Sequence, residues 1–262
     1  MQRKEKNSKN INHAPVIREA VFRFYEELNE HLPKTIRRKE FIHEFKGTPS
    51  VKNVIESIGV PHSEIDLILV DGSSVDFTYQ MRGGEHVSVY PVFESLDISS
   101  VNRLRAQPLR VIKFIVDVNL GKLANKLRLL GFDTLFRNDF EDAEIIEIAA
   151  NEKRIILTRD RALLTSNLVT HAYWIRNHDP KKQLSEVVQR LQLTSHFRPF
   201  SRCSVCNSLL RQAEFDEIKD KLPQDTLQYY DVFWECDGCE KLYWKGSHYK
   251  HIENLIEELR KK

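Results

Sequence analysis

No apolar stretch in this 262-residue chain approaches the roughly 18 residues needed to cross a bilayer, so no membrane span is expected. The opening MQRKEKNSKN has no apolar core behind it, so no secretory signal is expected either. An excess of one charge is also missing. Forty Lys and Arg stand against 38 Asp and Glu, giving a net charge of +2, so any nucleic-acid footprint must be local. Cysteine is scarce: there are four, all beyond residue 200 and in two pairs. Without a signal peptide such pairs read as metal ligands rather than disulfides, and the cytoplasm is the default compartment. There is no internal repeat and no long low-complexity tract. What is present is a 41% hydrophobic content and enough length for two or three small domains.

Four segments separate by pattern. Residues 1–13, with Arg3, Lys4, Lys6 and Lys9, read as a disordered basic tail, a solvated end or alternatively an RNA-binding arm. Residues 14–98 begin with the strand-like REAVFRFYEEL and the alternating EFIHEF. TPSVKNVIESIGV then reads as a helix starting at Pro49 or Ser50 and ending at Gly59. LILVDG, VDFTY and HVSVYPVF follow as short strands, with turns at Asp71-Gly72 and Gly83-Gly84. The order ββαβ plus a late strand is that of an α+β β-grasp domain. From residue 111 to 195, strands VIKFIVD, DTLF, RIILT and THAYWI alternate with helices LGKLANKLRLLG, EDAEIIEIAANEK, RALLTSN and PKKQLSEVVQRLQ. That alternation predicts an α/β domain with a parallel sheet covered on both faces. Residues 196–262 hold the cysteines and a closing helix, HYKHIENLIEELRKK.

Parallel sheets carry their ligand sites at the carboxyl ends of the strands. Asp117 ends VIKFIVD, Asp160 lies just past RIILT, and Asp142 opens the intervening helix, so the three are expected at one edge. Converging carboxylates repel unless a hard cation lies between them, and an all-oxygen set suits Mg²⁺ or Mn²⁺. Asp142 reads equally well as a helix N-cap, and Asp160 can cap RALLTSN. Asp117, ending a buried-type run, is hardest to explain without a partner. Asp139 is a weaker candidate ligand, and Asp133, at the start of a strand, belongs to the opposite edge. Lys122 and Lys126 lie one turn apart beside Asp117 with Arg128 nearby, and Arg159 and Arg161 bracket Asp160. These cations are candidates for holding a polyanionic backbone, with a plain solvated helix face as the alternative for the first three.

Cys203-x-x-Cys206 and Cys236-x-x-Cys239 have zinc-knuckle spacing, and two such turns complete a closed, structural S₄ site. Gly238 is expected to ease the second turn. FDEIKDKLPQDTL between the pairs reads as an inserted helix and loop. Trp234, Tyr243 and Trp244 serve either as ribbon core or as a base-stacking surface.

The run FIVDVNLGKLANKLRLLGFDTLFRNDFEDAEIIEIAANEKRIILTRDRALL closely resembles the RNase domain named after the C-terminal region of the Mut-seven exonuclease, a PIN-like family. The resemblance covers about Phe114 to Leu164 without gaps. It extends to the C-terminal CxxC…CxxC ribbon with the stretch Trp244-Lys245-Gly246-Ser247-His248. It implies a PIN-like metal-dependent ribonuclease fold, with Asp117, Asp142 and Asp160 as the acidic positions, Zn in the ribbon and RNA as substrate. PIN-type sites often use four such groups, so Asn119 or Asp139 is left for the fourth. AVFRFYEELNEHLP, SVKNVIESIGVPHSEIDLILVDG and GEHVSVYPVFESLD resemble the ubiquitin-like domain fused before this RNase, and more distantly the small sulfur carriers. The carriers end in a free Gly-Gly. Here the corresponding place reads Pro91-Val92-Phe93-Glu94-Ser95 and the chain continues, so a docking surface for a protein or ribonucleoprotein is expected instead. The leading expectation is a metal-dependent ribonuclease. The alternatives are a non-catalytic RNA- or ribosome-binding scaffold and an adaptor that recruits another enzyme.

Overall fold

A computed structural model describes residues 16–91, 104, 111–222 and 224–261. The basic tail, Val92 to Ser95 and the boundary at Ile98 lie outside the described residues. The chain divides into two compact units, one built on the segment ending at Pro91 and one on the segment from residue 111 onward, with Pro61–Glu64 counted in the second. No helix among the described residues is long and apolar enough to cross a membrane.

The first unit runs β1 (Ile17–Phe24), β2 (Phe41–Lys46), α1 (Val51–Ile58), β3 (Ile65–Val70), β4 (Ser73–Val75) and β5 (His86–Pro91). The strands form one sheet in the order β2-β1-β5-β3-β4, with β1 and β5 parallel at its centre. This is the expected ββαβ order with a late strand. Ser50 caps α1 by accepting from the Asn53 amide, and Gly59 ends it with φ +107. Phe22, Phe24, Val54, Ile55, Ile68 and Val89 fill the core between helix and sheet. Two expectations shift. The end of REAVFRFYEEL is a 3-10 turn over Glu26–His31, not strand. VDFTY stays in the sheet only to Val75, because the Asp76 carboxylate accepts from the Thr78 amide and turns the chain.

The second unit carries β6 (Lys113–Val116), α2 (Gly121–Leu129), β7 (Asp133–Leu135), α3 (Asp142–Glu152), β8 (Ile155–Thr158), α4 (Arg161–Leu164), β9 (Ala172–Trp174) and α5 (Pro180–Arg190). All four strands are parallel, in the order β7-β6-β8-β9. On one face α2 and α5 bury Leu123, Leu127, Leu184 and Val188 against Phe114, Val116 and Leu157. On the other, α3 and α4 bury Ile145, Ala149 and Leu163 against Ile115 and Ile156. The faces alternate because successive strand residues point to opposite sides. Leaving β6 the chain crosses to β7, then returns past β6 to β8, so the crossover direction reverses between β6 and β8. That reversal opens a crevice at the carboxyl ends of these two strands.

The unit continues through β10 (Leu210–Ala213), α6 (Phe215–Ile218), α7 (Gln224–Tyr229), β11 (Phe233–Cys236), β12 (Leu242–Trp244) and α8 (Ser247–Arg260). The strands form an antiparallel ribbon, β10-β11-β12, around Ala213, Ile218 and Phe233. The insertion between the cysteine pairs is two short helices rather than one, and β10 was not foreseen. Ile256 and Leu259 of α8 join the core on the α2–α5 face.

Helix α2 ends in a Schellman turn. The Phe132 amide reaches the Leu127 carbonyl, the Gly131 amide reaches the Arg128 carbonyl, and Gly131 has φ +96. A Cβ on Gly131 would lie 2.2 Å from the Arg198 carbonyl oxygen, a backbone atom that cannot simply swing away. Gly131→Ala is therefore expected to cost more than the roughly 1–2 kcal/mol of left-handed strain alone. Thermal denaturation checks this, and a melting temperature within about 1 °C of the parent would contradict it.

Candidate functional site

Asp117 follows β6 directly, and its amide extends the sheet by donating to the Leu157 carbonyl at 3.0 Å. Its carboxylate caps the 3-10 turn Val118–Leu120, accepting from the Asn119 amide at 3.2 Å. Asp117 is only 6% exposed, so a charged group there must be well partnered. The second partner is Thr158, the last residue of β8. Its hydroxyl donates to Asp117 Oδ2 at 2.8 Å and accepts from the Asp160 amide at 2.8 Å. One fully buried threonine thus fixes the two acidic positions of neighbouring strands relative to each other. Thr158 was missed in the sequence. The available signal was a hydroxyl inside a buried apolar strand, the same kind of anomaly that exposed Asp117.

Asp160 is the N-cap of α4, its Oδ1 accepting from the Ala162 amide at 2.8 Å. The capping role open to it from the sequence is therefore real, and it engages one oxygen. For Asp142 the capping role is not real: the N-cap of α3 is Glu141, and Asp142 is the first helical residue. Its carboxyl is pushed above the usual carboxylate range, by partial burial first and then by the charges of Asp160 and Asp117. The charges of Asp160 and Asp117 therefore reach Asp142 at the carboxyl ends of β6 and β8. Each also stands at a helical N-terminus, where the local dipole favours an anion. They do not form a tight cage. Among the described residues the four cysteines alone have ligand atoms all within 4.8 Å of one another.

Other expected site residues lie differently. Asp139 is exposed and ion-paired to Arg137 at 2.9 Å, which holds its carboxyl below the usual range, and the same guanidinium holds Glu144 at 2.8 Å. Lys122 is exposed on α2, Lys126 is half-buried, and Asn119 is exposed. Arg159 is half-buried and donates to His178 Nε2 at 2.8 Å, while Arg161 is exposed and lies 5.2 Å above the Trp174 ring. Arg128 is no surface cation. It is 3% exposed, donating to the Thr134 carbonyl at 2.9 Å and the Val205 carbonyl at 2.6 Å. Helical spacing put it beside Lys126, but the edge of α2 it occupies is covered by the first cysteine turn.

Asp133 lies at the amino end of its strand, in register with Lys113 and so at the opposite edge, as expected. Arg154 binds it at 2.8 Å, Arg202 at 3.3 Å and the Asn207 amide group at 2.9 Å. Burial works against its charge, but these donors outweigh burial and hold its carboxyl below the usual range.

The two cysteine turns repeat one backbone geometry. Asn207 and Glu240, each directly after the second cysteine of its pair, have φ +71 and +57. Backbone amides of Val205 and Gly238 point at Cys203 Sγ and Cys236 Sγ, both at 3.4 Å. The Tyr243 hydroxyl lies 3.1 Å from Cys203 Sγ. Gly238 is required for space rather than for its torsion, since a Cβ there would sit 2.2 Å from Ser208 Oγ. The Sγ pairs Cys203–Cys239 and Cys206–Cys236 stand 3.6 and 3.3 Å apart, too far for disulfides and close to the roughly 3.8 Å edge of a tetrahedron with 2.3 Å Zn–S bonds. The donor set fits zinc. Burial works against ionising Cys206, but hydrogen bonds from Ser208 and neighbouring thiols bring it down to about 6. Burial, then the adjacent sulfurs, push Cys239 up to about 12.

Zinc uptake must therefore displace protons from the high-pKa thiols. One equivalent of zinc per chain is expected, with affinity falling as pH falls. Competition against a chromophoric chelator across a pH series measures this, and a pH-independent affinity would contradict thiolate ligation.

Family models match both units of the chain. The Mut7-C RNAse domain matches residues 112–256, more than half of the chain, and the Mut7-C ubiquitin domain matches residues 17–97. No curated protein and no solved structure matches it significantly. The matched span contains the crevice with Asp117, Asp142 and Asp160 as well as both cysteine turns. The chain belongs to the Mut7-C RNAse domain family, with the Mut7-C ubiquitin domain fused ahead of it.

Proposed function

We propose that this protein is a PIN-like, Mg²⁺- or Mn²⁺-dependent ribonuclease acting at Asp117, Asp142 and Asp160, with a structural zinc in the ribbon. The observation that carries the reading is placement: Thr158 ties Asp117 to the Asp160 backbone at the strand-order reversal, and burial, then the charges of Asp160 and Asp117, raise the pKa of Asp142 beside them, inside the span matched by an RNase family. A divalent cation held by these carboxylates would polarise a phosphodiester and ease deprotonation of an attacking water. Asp117, locked by Thr158 and the Asn119 amide, is the fixed member of the set. Asp142, exposed at the start of α3, is the adjustable one. Asp160 spends one oxygen on its cap and keeps the rest of its acceptor capacity for a cation. Arg159 and Arg161 then hold phosphates that flank the scissile one, with Lys122 and Lys126 along α2. Asn119 and Asp139 remain the choices for a fourth ligand, and Asp139 would first have to leave Arg137.

The ubiquitin-like unit is read as a docking module for a protein or ribonucleoprotein, and the cytoplasm as the site of action. Gly83 and Gly84, at φ +93 and +90, are an internal turn and offer no carrier tail.

A second reading has its own support. The carboxylate oxygens fall outside the tight spacing reached by the cysteines, and two of the three aspartates cap helical turns, which is what a non-catalytic RNA-binding scaffold would retain. Purified protein with Mn²⁺ on single-stranded and structured RNAs separates the two. Asp117→Asn and Asp160→Asn are each expected to lower the rate by at least about 100-fold. Cleavage that persists in both variants would remove the aspartate mechanism, and binding without cleavage across a wide substrate set would favour the scaffold.

Removing the charge at Asp142 relieves repulsion in the metal-free state. Its raised pKa means that the folded chain binds a proton more readily there than the unfolded one, so this stability contribution is lost as pH rises above the ordinary carboxylate range. At neutral pH without divalent ions Asp142→Asn is expected to melt no lower than the parent. With Mn²⁺ the parent gains stability, by about 2.7 kcal/mol at 100 times Kd, and the variant gains less. Equal gains in both proteins would take Asp142 out of the ligand set.

A further inference from the structure

The second unit holds a groove of about 910 Å³ that shares only Lys126 with the ribonuclease chemistry above. One wall carries Lys126, in the last turn of α2, and Lys181, in the first turn of α5. The opposite wall is aromatic, with Tyr243 and Trp244 of β12, Tyr249 of α8 and Phe200 from the segment leading into the ribbon. Further cations sit over these rings. Lys241 Nζ is 5.7 Å from the Tyr243 ring centre, and Lys245 Nζ is 5.3 Å from that of Tyr249. Phe200 and Tyr249 lie 5.0 Å apart at 43°, so they present a splayed surface rather than a closed stack.

We propose that this groove binds single-stranded RNA, with bases on the ribbon's rings and phosphates on Lys126 and Lys181. Charge selects an anion: Lys126, Lys181 and Lys241 line the groove against a single carboxylate, Glu258. Size selects a polymer, because the volume is at the upper end for a drug-sized ligand and exceeds what one phosphorylated metabolite needs. Ring faces select an unpaired strand, since a duplex keeps its base faces stacked away from side chains.

The groove also has a direction. Helices α2 and α5 both begin at the carboxyl edge of the sheet, where the aspartates lie. Lys181 is in the first turn of α5, and Lys126 is five residues into α2, about 8 Å of helical rise from its start. A strand leaving the acidic crevice would meet these lysines first and the ring wall after them. That direction rests on the ribonuclease reading, whereas the affinity for single strands does not.

The test uses the full chain, zinc-loaded and without Mg²⁺ or Mn²⁺, titrated into a short fluorescent single-stranded RNA. Tyr249→Leu is expected to weaken binding roughly 5- to 150-fold through lost stacking. The double variant Lys126→Gln/Lys181→Gln is expected to flatten the plot of log affinity against log salt by about 1.4, from two phosphates at about 0.7 each. Zinc content and melting temperature check the fold. If Tyr249→Leu fails to fold, the lysine pair decides. Parental affinity and salt slope in the folded variants would overturn the proposal, as would duplex RNA binding as tightly as the single strand. Displacement by an acidic peptide but not by unlabelled RNA would also overturn it, by assigning the groove to a protein partner. The two readings fail separately. Groove-dependent binding without cleavage in Mn²⁺ removes the nuclease and leaves the groove, whereas parental binding and cleavage by both variants remove the groove and leave the nuclease.

Discussion

The ribbon's place on the RNAse-family α/β domain depends on one buried guanidinium. A charge taken from water must recover its hydrogen bonds from whatever surrounds it. Arg128 does so with acceptors from both sides of a boundary, the Thr134 carbonyl of the parallel sheet and the Val205 carbonyl of the first cysteine turn. Burial lowers its pKa, and the nearby Cys206 and Cys203 sulfurs work in the opposite direction, so thiolate charge and guanidinium charge support each other. Asn207 completes the join: its side-chain Oδ1 accepts from the Thr134 amide, and its side-chain nitrogen donates to Asp133. The residue that turns the first cysteine loop is thus also the residue that grips the parallel sheet. The groove with its lysine wall and its aromatic wall exists because this join fixes one relative to the other.

A second constraint acts at the opposite edge of the same sheet. Three carboxylates share a crevice, and the backbone offsets part of their repulsion by presenting helical N-termini to each of them. Thr158 does the rest of the positioning, since a hydroxyl can donate to one acidic residue while accepting from the backbone of the next. The two edges divide the labour. Asp133 at the amino edge is neutralised by Arg154 and Arg202 and serves structure, whereas among the described residues no such cation pairs with Asp117.

Much of this was legible in the chain because the decisive signals are local. VIKFIVD and RIILT are short, apolar and bounded, so Asp117 and Asp160 could be placed at a common edge before any coordinates. Gly59 and Gly131 mark helix ends through a backbone requirement that the letter itself carries. Helix α3 ends on Lys153 at φ +55 in the same geometry, and nothing in the letter announces it. The rest was illegible because it is made by tertiary contact. Arg128 has the spacing of a surface residue and is buried only by a turn some 75 residues away. Lys181 sits in the first turn of α5, and only the tertiary fold places it in one groove with the ribbon's rings. For Gly238 the position was right and the reason wrong, since a neighbour's hydroxyl rather than a torsion forbids a side chain there.

The strand gripped by Asn207 is β7, at the border of the parallel sheet. A border strand offers unpaired amides to any passing chain, and proteins commonly blunt it with charge or cover it. Here the cover is a loop whose shape is set by two cysteines. Losing the metal would therefore do more than loosen the ribbon. It would uncap a sheet edge and leave a template for strand pairing, so metal scarcity would be felt first as self-association.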